Sequence, residues 1–155
     1  MRPAELSGLA FWVPLAVGAG ALAVTIVIQG LAVNATVGLV RHARAHGHAG
    51  AGFWTDLAIV ALAISIAGVA HLVGIGVWAL VFMRCGEFAG FTAAYYHSGV
   101  NYTTLGYGDV IMTPPWRLLG PLEAAAGMLM FGVSTALLFA VIQALLQIRF
   151  VDLRS

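Results

Sequence analysis

Three long apolar runs limit what this chain can fold into. They cover residues 9–40, 53–83 and about 118–148, with Asp56 and Glu123 each near the start of a run. A bilayer core of roughly 30 Å needs about 20 apolar residues in a helix, so each run is long enough to cross it. The chain is 61 % hydrophobic and 8 % charged, whereas soluble domains are about 45–50 % apolar and about 25 % charged. The pattern predicts an all-α membrane protein with three transmembrane helices.

The segment between the second and third runs is of a different kind. Residues 86–117 are rich in Gly, Thr, Tyr and Pro, and their apolar stretches are too short to span. Residues 88–102 predict a helix of about 15 residues, roughly 22 Å long, which enters a bilayer without crossing it. Non-helical backbone at membrane depth is tolerated only where protein buries it or where it lines water. We therefore expect a re-entrant pore helix at 88–102 and a loop at 103–109 that lines an aqueous pathway.

The loop has the sequence Thr-Thr-Leu-Gly-Tyr-Gly-Asp. Its consecutive carbonyls can turn toward one axis if the backbone alternates between right- and left-handed regions, and Gly106 and Gly108 reach positive φ at little cost. Thr104 adds a hydroxyl at the inner end. Four such loops around an axis give stacked oxygen rings that replace the hydration shell of K⁺. One chain supplies a quarter of each ring, so the mechanism predicts a homotetramer in which three identical subunits are the partners.

These features resemble the potassium-channel pore superfamily, in its prokaryotic two-transmembrane pore-loop form with one extra N-terminal helix. Residues 103–109 match the family's T-T-V-G-Y-G-D with Leu in place of Val, and the likeness extends over about 53–147. The resemblance implies a potassium-selective channel that conducts K⁺ passively across a lipid bilayer, with no enzymatic activity and no cofactor besides the K⁺ ions. The ion-binding residues that it implies are Thr104, Leu105, Gly106, Tyr107 and Gly108, with K⁺ bound at the first four.

The resemblance also implies side chains that hold the filter in place. Many relatives have an aromatic donor in the pore helix that binds the filter's Asp. Here we expect Asp109 to accept a hydrogen bond from Tyr96 or His97, with Thr103 as a further supporting residue. Val100 replaces a Glu found in some bacterial relatives, so the carboxyl pair behind their filter is missing.

The inner helix contains candidates for a hinge and a gate. Gly127 lies where the family places a hinge glycine, and Gly132 is an alternative. Close helix packing would explain either glycine equally well, since small residues are enriched at interfaces between membrane helices. We expect the gate to be the filter itself or the inner-helix crossing near Thr135, Phe139 and Gln143, with Phe131 as a further hinge or gate candidate.

Two ionisable residues inside the apolar runs need an explanation, because ionisable groups within a membrane are costly. We expect Glu123 to bond the pore-helix region or to reach interfacial water rather than to set gating. We expect His71 to be a neutral imidazole bonded to the pore helix, with a pH sensor as the alternative because imidazole titrates near physiological pH.

The expected organisation has four parts: an extra N-terminal transmembrane helix (1–40), a cytoplasmic connector (41–52), a potassium-channel pore domain (53–149) and a short cytoplasmic tail (150–155). Within the pore domain, the outer helix is placed at 53–83 and the inner helix at 118–148. The connector is the most basic stretch of the chain, and positive loops stay cytoplasmic. We therefore expect a multi-pass protein of the plasma (inner) membrane with its N-terminus outside and its C-terminus in the cytoplasm.

Two other functions stay open at this point. Several residues behind the filter are unusual, which leaves a less selective monovalent cation channel as one alternative. A non-conducting subunit that assembles with another channel is the other. The net charge of +1 is too small to indicate a nucleic-acid partner.

Overall fold

The computed structural model describes residues 3–152, with side chains described at 11–149. Four α-helices make up this part of the chain, and it contains no strand: α1 (Pro3–Ala45), α2 (Phe53–Arg84), α3 (Phe91–Tyr102) and α4 (Leu119–Asp152). Helices α1, α2 and α4 are the three long apolar helices expected from the sequence. The all-helical class is therefore confirmed.

The three long helices have the length and composition of membrane spans. The qualifying stretches are Phe11–Ala45, Phe53–Arg84 and Leu119–Arg149. Large apolar side chains also stay on their outer surfaces, as shown by Leu31 at 65 % and Trp54 at 78 % exposure. In water such surfaces would be costly, whereas lipid accepts them. These helices indicate a multi-pass membrane protein.

Several helix ends differ from the expected boundaries. Helix α1 continues to Ala45 rather than ending at 40, and it stops before Gly47, which has a left-handed φ of 68°. Helix α3 begins at Phe91 rather than 88, because Gly90 is extended with φ −123° and ψ 140°. Helix α4 continues to Asp152, so the expected tail at 150–155 begins as helix, and residues 153–155 lie outside the described part.

One compact unit combines residues 3–28 with Leu72–Met130 and contains α3 and the loop after it. Its core is built on four side chains that are completely buried: Trp78, Phe82, Tyr102 and Leu119. Glycines allow close approach in this unit. A Cβ added at Gly74 of α2 would touch Tyr102 of α3 at 3.4 Å. The packing therefore fixes α3 against α2.

The other unit combines Gln29–His71 with residues 131–152. Its apolar core includes Ile59, Val141 and Leu145. At one end, Asp56 accepts a hydrogen bond from the Gly50 amide at 2.9 Å and pairs with Arg149 at 2.9 Å. The same carboxylate thus joins the α1–α2 connector to the last turns of α4.

Candidate functional site

The loop at 103–109 begins as a continuation of the last turn of α3. The amides of Leu105 and Gly106 both donate to the carbonyl oxygen of Val100, at 2.9 and 3.3 Å, and the amide of Thr104 donates to that of Asn101 at 2.8 Å. These bonds satisfy carbonyls that a helix end otherwise leaves without partners. They also direct the amides of the loop back toward α3. The carbonyls of the loop are thereby left available for another ligand.

The backbone of the loop alternates as the two glycines predict. Gly106 has a φ of 59° and Gly108 a φ of 72°. Thr104 is also left-handed, with a φ of 61°, although this conformation was expected only at the glycines. A β-branched residue there is an outlier, since left-handed backbone costs an L-residue roughly 1–2 kcal/mol. Every second residue from 104 to 108 therefore has a left-handed backbone conformation.

Among the described residues, no hydrogen bond reaches the carbonyl oxygens of 104–107. Leu105 is 53 % exposed and Tyr107 67 % exposed. Unpaired carbonyl oxygens in a row are good ligands for a partly dehydrated cation. These candidate ion-binding residues are consecutive in the sequence, and their binding of K⁺ stays a prediction.

Asp109 at the end of the loop accepts a hydrogen bond from Tyr96. The phenol Oη donates to Asp109 Oδ2 at 2.8 Å, and the amide of Val110 donates to Oδ1 at 3.1 Å. Donation to Asp109 raises the pKa of the Tyr96 phenol. The expected hydrogen bond is therefore present and lies within one chain. Its role in holding a filter stays a prediction.

His97, the other expected donor, has a different position. Its ring is buried, with centroids 5.4 Å from Phe82 and 5.0 Å from Phe88. Its Nε2 lies 3.0 Å from Asn101 Nδ2. Thr103, the further supporting candidate, donates its hydroxyl to the carbonyl oxygen of Gly99 at 2.7 Å. Of these side chains, Tyr96 is the one that reaches Asp109.

Glu123 lies inside the protein rather than at an interface with water. It is 0 % exposed, and its Oε1 is hydrogen-bonded to Ser98 Oγ of α3. The structure therefore favours the expected bond to this helix over contact with interfacial water. The sequence did not identify Ser98 as the partner, because a lone serine in an apolar helix carries no distinctive pattern.

His71 belongs to a separate polar contact. Its Nε2 lies 2.9 Å from Ser134 Oγ of α4, and its ring stacks on Phe131 with centroids 4.3 Å apart. Gln29 of α1 donates to the same Ser134 hydroxyl at 2.7 Å. Polar side chains of three helices thus meet at Ser134. The expected bond of His71 was to the pore helix, and the sequence identified neither Ser134 as a partner of His71 nor Gln29 as a partner of Ser134.

The two candidate hinge glycines differ in their surroundings. A Cβ built at Gly127 would overlap the carbonyl oxygen of Tyr102 and lie 2.9 Å from its carbonyl carbon. A Cβ at Gly132 would meet nothing within 4 Å. Close packing of α4 on the end of α3 therefore explains Gly127 and does not explain Gly132. A hinge at either position stays a prediction.

The candidate gate residues share one face of α4. Phe131, Thr135 and Phe139 are spaced four residues apart and all three are exposed. The hydroxyl of Thr135 donates to the carbonyl oxygen of Phe131 at 2.9 Å, which satisfies it within the helix. A gate at these residues stays a prediction.

Comparison with known proteins places this region in a known family. Residues 68–144 match the family model described as "Ion channel". The match covers the second half of α2, all of α3, the loop and most of α4. No curated protein and no solved structure matches the chain.

Proposed function

This chain belongs to the pore-loop ion-channel superfamily, and we propose that it is one subunit of a homotetrameric channel that conducts K⁺ selectively. The observation that carries the proposal is the loop backbone, with left-handed residues at 104, 106 and 108. Four such segments around one axis would form rings of carbonyl oxygens, and such rings replace the water shell of K⁺. The K⁺ ligands would come from Thr104, Leu105, Gly106 and Tyr107.

The short helix α3 supports this proposal by its length and direction. It has 12 residues, about 18 Å at 1.5 Å per residue, so it can enter a bilayer but cannot cross it. Its C-terminal end precedes the loop directly, and the partial negative charge of a helix C-terminus favours a cation. We assign it the role of the re-entrant pore helix, with α2 as the outer helix and α4 as the inner helix.

Orientation in the membrane follows from the positions of the basic residues. We propose that the connector after α1 is cytoplasmic, because it is the most basic stretch of the sequence and positive loops stay inside. The N-terminus would then lie outside, the C-terminus in the cytoplasm, and the loop at the outer face of the plasma membrane. The exposed face of α4 that carries Phe131, Thr135 and Phe139 would line the inner part of the pathway and form its gate.

Potassium flux into liposomes that contain only this protein tests the proposal. We expect uptake of K⁺ that Ba²⁺ blocks and that Na⁺ does not replace, with bi-ionic reversal potentials that favour K⁺. Equal permeability to Na⁺ would indicate the less selective cation channel. No flux from a verified tetramer would indicate the non-conducting subunit. A purified protein that is stably monomeric or dimeric in lipid would contradict the tetramer.

A further inference from the structure

The side chain of Glu123 takes part in a contact that joins three helices. Its carboxyl is 0 % exposed, and Oε1 is hydrogen-bonded to Ser98 Oγ of α3. The same Ser98 Oγ lies 2.8 Å from the carbonyl oxygen of Ile75 in α2. One serine hydroxyl thereby connects α2, α3 and α4 inside the unit that contains the loop.

The protons available for the hydrogen bonds of Ser98 decide whether Glu123 is ionised or neutral. A serine hydroxyl has one proton to donate, whereas a backbone carbonyl and a carboxylate can only accept. An ionised Glu123 would leave Ser98 with two acceptors and one proton, so one close pair of oxygens would have no proton between them. Both contacts are satisfied when Glu123 donates to Ser98 and Ser98 donates to Ile75. The geometry therefore requires a proton on Glu123.

The surroundings of the carboxyl lead to the same conclusion. Its second oxygen, Oε2, is buried without a hydrogen-bond partner among the described residues. The Asn101 side chain lies near this carboxyl, but its Nδ2 is bonded to His97 Nε2 at 3.0 Å. Within residues 11–149, the ion pair present joins Arg149 to Asp56, and none involves Glu123. A buried carboxylate without a cation is very costly, and such a group becomes neutral instead. A carboxylic acid with one unpaired carbonyl oxygen costs much less.

Glu87 provides a contrast within the same chain. Its two carboxyl oxygens accept from the amide and the hydroxyl of Thr113, and its side chain is only partly buried. Both partners of Glu87 can donate, so this contact needs no proton on the acid. Glu123, by contrast, is bonded to a hydroxyl whose proton is already used.

We propose that Glu123 is a positioning residue for the loop at 103–109, and that it acts as a neutral carboxylic acid that donates to Ser98. Ser98 lies in the helix whose last turn continues into the loop. Attachment of Ser98 to both α2 and α4 fixes the point from which the loop starts. This inference rests on the proposed function, because the position of the loop matters through ion binding.

Infrared difference spectroscopy of the full chain in lipid tests the protonation. We expect the wild type to show the carbonyl stretch of a protonated carboxylic acid, sensitive to D₂O, and Glu123→Gln to lack it. Ser98→Ala should shift this band to higher frequency, because the acid loses its acceptor. Glu87→Gln is the matched control and should leave the band unchanged. A wild type without the band, or a band that survives in Glu123→Gln, overturns the proposal.

Hydrogen exchange at the amides of Thr104, Leu105 and Gly106 tests the positioning role. We expect Ser98→Ala to speed this exchange about fivefold, as the loss of one hydrogen bond worth about 1 kcal/mol would do. Glu123→Gln should keep the wild-type exchange rate, because its amide can donate to Ser98. Glu123→Ala cannot donate and should exchange faster than the wild type. Equal rates in all of these variants would overturn the positioning role.

Potassium flux measured on the same liposomes separates this inference from the proposed function. A wild type that fails to conduct K⁺ would refute the proposed function alone. The infrared band and the exchange rates do not depend on conduction, so they still decide the state and the role of Glu123.

Discussion

Replacement of Gly106 by Ala tests the backbone geometry of the loop most directly. Gly106 has a φ of 59°, in the region where a Cβ costs roughly 1–2 kcal/mol per residue. Within one chain, a Cβ there meets only the carbonyl oxygen of Thr104, at 4.0 Å. The penalty therefore comes from the backbone conformation and not from a clash. In the proposed tetramer, four copies surround one axis, so the penalties sum to about 4–8 kcal/mol if they add.

That sum is large enough to change which conformation the loop adopts. Since 1.4 kcal/mol changes an equilibrium about tenfold, a loss of about 4 kcal/mol lowers the population of the native loop about a thousandfold. We expect Gly106→Ala to abolish selective potassium flux. The helices should stay inserted, because the substitution lies outside α1, α2, α3 and α4.

The assay is potassium and sodium flux into liposomes, with the helical content of the reconstituted protein measured by circular dichroism. Gly68→Ala in α2 is the matched control, since a Cβ there meets nothing within 4 Å and its backbone is helical. The control should conduct as the wild type does. An unchanged preference for K⁺ over Na⁺ in Gly106→Ala would refute the reasoning about the left-handed backbone.

Three further predictions concern Tyr96, Gly127 and the membrane topology. Tyr96→Phe removes the phenol that donates to the acid at the end of the loop, so we expect single-channel recordings to show altered open probability with little change in selectivity; an unaltered open probability would contradict this. Gly127→Ala would press a methyl group into the end of α3, so we expect a loss of about 1–3 kcal/mol and an apparent melting temperature several degrees lower. Gly132→Ala is its control, and equal melting temperatures would contradict the packing explanation. In a chain without the native Cys85, a cysteine at Ala45 should resist an impermeant external reagent, and its labelling would contradict the proposed topology.

The three long helices could be predicted from the sequence because each is apolar over a length that only a membrane span requires. Their ends were harder to predict. Helix α3 begins three residues late because Gly90 is extended, and nothing in the residue type forces that conformation. Helix α1 continues past 40 because the residues up to Ala45 can form a helix as readily as a solvated connector. The left-handed Gly47 follows shortly after its last residue.

Those features of the candidate site that depend on residue type alone could be predicted from the sequence. Gly106 and Gly108 indicate positive φ by residue type, whereas a donor to Asp109 about two turns back from the loop was expected only from the resemblance to the channel family. The choice between Tyr96 and His97 could not be made from the sequence, because it depends on which face of α3 meets the loop. The bond of Glu123 to Ser98 could not be identified either, since it joins two helices far apart in sequence.

The left-handed backbone of Thr104 shows how the end of α3 shapes the loop. A conformation that costs an L-residue roughly 1–2 kcal/mol persists only when its surroundings determine it. Here the amides of Thr104, Leu105 and Gly106 are bonded to carbonyls of the last turn of α3, and hydrogen bonds contribute about 0.5–1.5 kcal/mol each. Three such bonds offset the penalty. Because these amides donate to the carbonyls of Val100 and Asn101, the geometry of the loop depends on the position of α3. That position depends in turn on the contact of Ser98 with Ile75 and Glu123.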